Sequence, residues 1–218
     1  MQQSLFVLNA VNSVANHIFL ELRDHQIQLR RGSFRRNLVK LGQIMAYELS
    51  KSLQYHSIEV QTVLGRSSID VVKQPPVLFT IVRAGIPFLE GFQNYFEESD
   101  CGFIAAQRVE GNKEDITIDL HYSSIPAFDN RDLVVVDPML ATGNSLLASL
   151  DEILSMGTPS MLHLASAIAT EEGIENIQNN LKIPYRLWMG AMDHELNDSG
   201  YIVPGLGDAG DLLYGAKI

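Results

Sequence analysis

The sequence predicts an α/β fold with a mainly parallel central sheet. Three observations carry that prediction. Residues 77–82, 102–106, 133–136, 161–169 and 185–191 are short, mainly apolar runs that read as buried strands, 77–82 being rich in β-branched and aromatic residues. Segments with helical periodicity, 88–96, 145–156 and 171–181, fall between them. In one window, 133–145, the chain reads LVVVDPMLATGNS: four apolar residues, an acid, a loop of small residues and hydroxyls, then a helix start.

Each element has a local reason. Residues 1–30 mix short apolar and polar runs and predict a strand and a helix. Ser33 is placed to cap a helix running to about Leu53, with Phe34, Leu38, Leu41, Met45 and Leu49 on one face. A polar stretch, 54–74, ends in Pro75-Pro76, which blocks helix and sets up the extended run at 77–82. Gly85 and the helix at 88–96 follow. Residues 110–123 are polar, with Gly111-Asn112 as a turn and Ile116, Ile118 and Leu120 alternating, which predicts a β-hairpin arm over about 107–125. The helix at 145–156 stops at Gly157, and Thr170 is placed to cap the helix at 171–181. The tail, YIVPGLGDAGDLLYGAKI, is too glycine-rich for a regular element. Its interleaved Ile202, Val203, Leu206 and Leu212 predict packing, with glycines allowing close approach to a ligand. No composition shift marks a boundary, so residues 1–218 read as a single domain.

Bulk properties exclude several classes. At 46% hydrophobic residues the chain is not disordered, and no run of 18 apolar residues exists to span a membrane. The first residues lack a basic lead and a cleavage site, so they read as mature protein. A lone cysteine, Cys101, forbids an internal disulfide and fits a cytoplasmic protein, with a buried, inert thiol as the expectation. A net charge of -10 argues against nucleic-acid binding. Six basic residues nevertheless gather at Arg23, Arg30, Arg31, Arg35, Arg36 and Lys40, either as a solvated face or subunit contact or as a polyphosphate contact. The histidines make no metal-ligand pattern with the cysteine.

The loop after the 133–136 run offers backbone N–H groups, the Thr142 and Ser145 hydroxyls and the positive end of the next helix. All three suit a phosphate monoester. Asp137 is expected where that strand ends, which in an open parallel sheet is where ligands lie.

Four segments together resemble the uracil phosphoribosyltransferases, nearly end to end. Asp137-Pro138-Met139-Leu140-Ala141-Thr142-Gly143 is similar to that family's loop for phosphoribosyl pyrophosphate (PRPP). Tyr201 to Asp211, YIVPGLGDAGD, resembles its uracil-binding tail. Val82-Arg83-Ala84-Gly85 resembles its pyrophosphate-side loop, and Gln107-Arg108 stands where the family keeps an arginine before its β-arm. Phe34-Arg35 and Tyr47-Glu48 are weaker matches.

The resemblance implies a phosphoribosyltransferase-type core, a small C-terminal hood over about 183–218, and the reaction uracil plus PRPP to UMP plus pyrophosphate in pyrimidine salvage. It implies that residues 140–145, including Asn144, hold the 5′-phosphate, that Arg83 and Arg108 meet the pyrophosphate, and that Asp137 faces the ribose. Uracil would be read by the main chain at Ile202, Gly207, Asp208 and Ala209. It also implies Mg2+ held mainly by PRPP and water, no direct protein metal site, a homodimer or higher homo-oligomer, and GTP as a possible activator. Asp137 is followed by Pro138 where many phosphoribosyltransferases have a second acid, so Asp208 is the expected substitute carboxylate near PRPP or its metal. The competing reading is a non-catalytic or RNA-binding pyrimidine regulator on the same fold.

This chain departs from the family pattern in four places, the first being residues 1–22, which match the family's basic lead-in poorly, so that GTP activation is not carried over from the resemblance. Asn144 replaces a glycine in the phosphate loop, and the expectation is that asparagine tolerates the left-handed conformation there. Glu195 replaces a glycine before the tail and is expected to alter a turn. Leu212 stands where a basic residue is usual.

Overall fold

The computed structural model describes residues 4–109 and 117–216. Seven strands form one sheet: β1 (Ser4–Val7), β4 (Val77–Val82), β5 (Cys101–Val109), β6 (Thr117–Ser124), β7 (Asp132–Leu140), β8 (Met161–Thr170) and β9 (Tyr185–Asp193). Their spatial order is β1-β9-β8-β7-β4-β5-β6, and every pair is parallel except β5–β6.

Helices cover both faces. Within β7, Val134 and Val136 point into one apolar cluster while Leu133 and Val135 point into the other. The first cluster takes α1 (Ala15–Arg23), α2 (Arg31–Ser50) and α3 (Ile86–Gln93); the second takes α4 (Asn144–Ser155) and α5 (Glu171–Asn180). Phe34, Leu38, Leu41, Met45 and Leu49 of α2 are all fully buried, as their spacing predicts. Each such side chain contributes about 1.5–3 kcal/mol in transfer terms. Thr170 caps α5 as expected, its hydroxyl accepting from the Gly173 N–H.

The strand order fixes where a ligand can lie. From β4 the chain builds outward through β5, whereas β7, β8 and β9 build the other way. The reversal falls between β4 and β7, which are hydrogen-bonded neighbours with Thr80 opposite Val136. A crevice opens at the carboxyl ends of strands at such a switch point. Arg83 follows β4 directly, and the 141–143 loop follows β7.

Several elements differ from expectation. Ser33 is not a cap: α2 starts at Arg31, and the Ser33 hydroxyl accepts from the Arg36 guanidinium instead. The stretch at 54–74 forms an antiparallel hairpin, β2 (Tyr55–Gln61) and β3 (Arg66–Val72), separate from the main sheet. The hairpin predicted over 107–125 is present as the antiparallel pair β5–β6, but it forms the edge of the main sheet; residues 110–116, with the Gly111-Asn112 turn, lie outside the described residues. β7 runs three residues past Asp137 to Leu140, so Asp137 lies within the ladder opposite Ser166 rather than at its end. β9 belongs to the central sheet, which removes 185–193 from the predicted hood. The tail is regular in part, containing β11 (Ile202–Val203), paired with β10 (Glu195–Leu196), and α6 (Ala209–Tyr214). Cys101 is half-buried rather than buried, and burial pushes its thiol up.

One core residue is pH-sensitive. His163 on β8 is buried, and its Nδ1 accepts the indole N–H of Trp188 at 3.1 Å. Burial lowers its pKa from 6.5 to about 4, with Asp132 opposing and Arg186 assisting more weakly. The folded state thus binds this proton less readily than the unfolded chain. Stability present above pH 6.5 is lost as pH falls toward 4, by an amount on the order of 3 kcal/mol. Trp188 is the sole tryptophan and reports the change. Urea midpoints followed by its emission fall between pH 7 and pH 4.5 in the parent and fall less in His163→Gln; equal slopes would contradict this account.

Candidate active site

The 141–143 loop gains its shape from α5 as well as from its own residues. Gly143 adopts φ +80°, the left-handed region, and leads directly into α4. That glycine carries the strained position. Asn144 is the first residue of α4 and is not left-handed, contrary to expectation. Behind the loop, the Thr170 hydroxyl donates to the Ala141 carbonyl at 2.7 Å. Asn176 Nδ2 donates to the Thr142 carbonyl at 2.7 Å and to Asn144 Oδ1 at 2.8 Å. Gly173 is required by contact: a Cβ there would stand 2.2 Å from the Ala141 carbonyl oxygen. The Asn144 N–H lies 3.4 Å from Thr142 Oγ1, and Ser145 is half-buried in the first turn of α4. Pro138 and Leu140 are buried, whereas Met139 is half-buried against the α1–α3 cluster.

Across the crevice, Arg83 is held by the tail. Its Nη2 donates to the Gly215 carbonyl at 3.1 Å and lies 3.4 Å from Asp211 Oδ1. The guanidinium stands 5.6 Å from the centre of the Tyr214 ring, and Arg35 stands 5.7 Å from the same ring. Both contacts are in cation–π range. Burial pushes the Tyr214 hydroxyl up, and the two arginines oppose that shift. Arg83 Nε is buried and makes no hydrogen bond among the described residues. Arg108 lies on β5 opposite Ile118, and its side chain lies outside the described residues.

The tail is fastened at its root. Arg23 binds Asp193 through both guanidinium nitrogens, Nη1 at 2.8 Å and Nη2 at 2.9 Å. Asp193 Oδ2 also accepts the Gly205 N–H at 2.9 Å, and Arg23 Nη1 reaches the Gly205 carbonyl at 3.3 Å. Asp193 is buried. Gly205 and Gly207 take φ +58° and +82°, and the Val203–Pro204 peptide is cis. Ile202 and Ala209 are buried by their side chains, while Gly207 and Asp208 are exposed beside a cavity of about 390 Å³ bordered by Gln28, Arg31, Asp211 and Leu212. Asp208 caps α6, its Oδ1 accepting the Asp211 N–H at 2.9 Å. Glu195 pairs with Val203 in an extended ladder, so it perturbs no turn of positive φ.

The structure therefore brings Arg83, Asp208 and the rest of the tail together: a Cβ on Gly210 would stand 3.2 Å from Asp208 Oδ1 and 3.9 Å from Arg83 Nε. The sequence reading missed Asp193, Asn176 and Tyr214. Their partners stand 170, 34 and 131 positions away, and no local motif marks such pairs.

The uracil phosphoribosyltransferase family model matches residues 10–216. The chain belongs to the uracil phosphoribosyltransferase family. It is 39% identical over 211 residues to the uracil phosphoribosyltransferase of Porphyromonas gingivalis, covering 97% of this chain and 98% of that one. It is also 39% identical over 205 residues to that of Pyrococcus furiosus, covering 92% and 86%. Among solved structures, the AQ2163 protein of Aquifex aeolicus superposes with a TM-score of 0.82 at 32% identity, over 98% of this chain and 100% of that one. A hypoxanthine phosphoribosyltransferase from Staphylococcus aureus shares the fold at TM-score 0.51 and 11% identity, over 74% and 76% of the two chains. The chain is thus a phosphoribosyltransferase with an α/β core. No described helix is long and apolar enough to cross a membrane.

Proposed function

We propose that this chain transfers the phosphoribosyl group of PRPP to uracil, giving UMP and pyrophosphate, as a step of pyrimidine salvage. One observation supports the reading above the rest. The switch-point crevice has the phosphate-type loop on one lip and Arg83 on the other, and the tail that resembles a uracil reader is tied to Arg83.

Breaking the C1′–O bond leaves positive charge on the ribose and gathers negative charge on pyrophosphate. Catalysis is then mainly positioning and charge stabilisation. The backbone of 140–145, with Thr142 and Ser145, holds the 5′-phosphate at the start of α4. Arg83 and Arg108 meet the pyrophosphate; Arg83 Nε is a buried donor with no partner among the described residues, which suits that role. Asp137 faces the ribose. The tail main chain at Ile202 and 207–209 presents N–H and C=O groups to the uracil edge.

Mg2+ prefers octahedral oxygen coordination and keeps waters, so it would be held mainly by PRPP oxygens and water, with Asp208 as the protein carboxylate near it. Bound Mg2+ would neutralise charge on the departing pyrophosphate. Asparagine caps a helix as well as aspartate does. Asp208→Asn therefore keeps α6 while removing the charge, and KM for PRPP rises about tenfold at unchanged melting temperature. Unaltered PRPP kinetics would remove Asp208 from this role.

The β2–β3 hairpin supports a homodimer or higher assembly, since Val63 and Leu64 at its tip are 99% and 98% exposed and Ile58 and Ile69 are exposed along its strands. GTP is the candidate effector, with the exposed Arg30, Arg31 and Arg36 as the cations to meet a polyphosphate; a rate indifferent to GTP overturns that part. A cytoplasmic site of action fits the lone, unpaired Cys101.

The test is UMP formation from uracil and PRPP with Mg2+, beside an Arg108→Ala variant. UMP from the parent and its loss in the variant support the reading. No UMP, with or without GTP, turns the protein into a regulatory relative of the same fold.

A further inference from the structure

The geometry points to Thr170, the cap of α5, and Asn176, in the middle of that helix, as positioning residues that aim the phosphate-binding amides. The inference rests on the PRPP reading and goes beyond it, because neither residue belongs to the loop.

The argument starts from the peptide plane. In a trans peptide, the carbonyl of one residue and the N–H of the next point in opposite directions. Thr170 Oγ1 draws the Ala141 carbonyl toward α5, and Asn176 Nδ2 draws the Thr142 carbonyl the same way. The N–H groups of Thr142 and Gly143 are thereby turned away from α5, toward the side where the crevice lies. Two amides fixed in one direction form an anion-binding concavity without reorganisation on binding.

Each anchor is itself anchored. The Thr170 hydroxyl spends its proton on Ala141 and its lone pair on the Gly173 N–H, so its rotor has one setting. Asn176 uses both Nδ2 hydrogens, one on Thr142 and one on Asn144 Oδ1. Its Oδ1 accepts from Asn180 Nδ2 at 2.7 Å, and that same Nδ2 reaches the Asn176 carbonyl at 2.9 Å. The amide of Asn176 is therefore oriented by α5 and cannot turn over without losing three contacts. Asn144, the departure that replaces a loop glycine, is explained by the same arrangement. Its side chain is a second handle for Asn176, and a glycine there would leave one Asn176 hydrogen unused.

The test separates aim from stability. Asn176→Ala should raise KM for PRPP three- to tenfold, leaving KM for uracil within twofold and the melting temperature nearly unchanged. Asn176→Asp, which keeps the size but replaces the donor with an acceptor, should do at least as much harm. Asn144→Gly should cost less, and should add little in the Asn176→Ala background because both act through one amide. PRPP kinetics unchanged in Asn176→Ala would overturn the inference. So would equal rises in both KM values together with a fall in melting temperature, which mark a merely structural role. Ribose 5-phosphate binding, measured by calorimetry, judges the inference whether or not the parent makes UMP. Weaker binding by a folded Asn176→Ala supports it. Equal binding by parent and variant, or none by the parent, refutes it.

Discussion

Arg23→Ala destabilises the protein by about 3 kcal/mol or more and raises KM for uracil at least tenfold. Removing one partner of a buried ion pair leaves the other uncompensated in a low-dielectric site. Here the survivor is Asp193, buried and holding the Gly205 N–H, so the loss passes directly to the tail. Arg23→Lys rescues little, because one ammonium cannot reproduce contacts at 2.8 and 2.9 Å from two nitrogens while also reaching the Gly205 carbonyl. The paired change Arg23→Met/Asp193→Asn recovers part of the stability, since no unpaired charge remains, but not the uracil affinity. Urea denaturation and uracil kinetics on the three variants check this. A stability loss below 1 kcal/mol in Arg23→Ala would show that the pair is not holding the tail.

Arg83→Ala has the opposite profile. Its side chain is 36% exposed and its partner Asp211 is 43% exposed, so the ion pair at 3.4 Å contributes well under 1 kcal/mol after solvent screening. Its expected kinetic effect is large: a fall of about 10²–10³ in kcat/KM for PRPP, the scale set by deleting one preorganised donor to developing negative charge. Arg83→Lys keeps the charge and recovers only part of the rate, because the fork that can hold Gly215 and still present donors is lost. Single-turnover rates and thermal melts of both variants check this. A variant that melts normally and turns over within threefold of the parent would remove Arg83 from the chemistry.

The contrast between these two arginines shows what the sequence made legible. Arg83 is legible through the resemblance of Val82-Arg83-Ala84-Gly85 to the family's pyrophosphate-side loop; taken alone, an arginine after an apolar run reads as a surface ion pair. The phosphate-type loop is legible from its own residues, an apolar run, an acid, small residues and hydroxyls before a helix, as are the five apolar runs and the buried stripe on α2. Arg23 is not. It sat in a cluster of basic residues that looked like one face, yet it turns inward to Asp193, whereas Arg36 binds Ser33 and Arg35 reaches the Leu213 carbonyl. Tertiary partners sorted the cluster, and no spacing along the chain records them.

At 54–74 overall polarity masks a period-two pattern: Ile58 and Val60 alternate with polar neighbours, and Ile69 and Val71 do the same across Gly65. That is a hairpin signal of the kind credited at 107–125. The glycine count of the tail predicts an irregular segment, yet Gly210 lies inside α6, where Asp208 supplies the cap. The left-handed backbone in the phosphate loop belongs to Gly143 rather than Asn144, whose side chain instead accepts a hydrogen bond from Asn176, a partner 32 positions away that the loop sequence does not reveal.

The most direct measurement is turnover of uracil and cytosine in competition for PRPP. Uracil presents two carbonyls flanking an N–H, and under the proposed function the main chain at Ile202 and 207–209 would complement it with N–H, C=O and N–H. Cytosine would set an amino donor against an N–H donor and leave both unpaired, which a polar site rejects by several kcal/mol. The predicted result is UMP with at least 10³-fold less CMP, and normal turnover of 5-fluorouracil, which keeps the same edge. CMP formed at a rate near that of UMP would contradict the account.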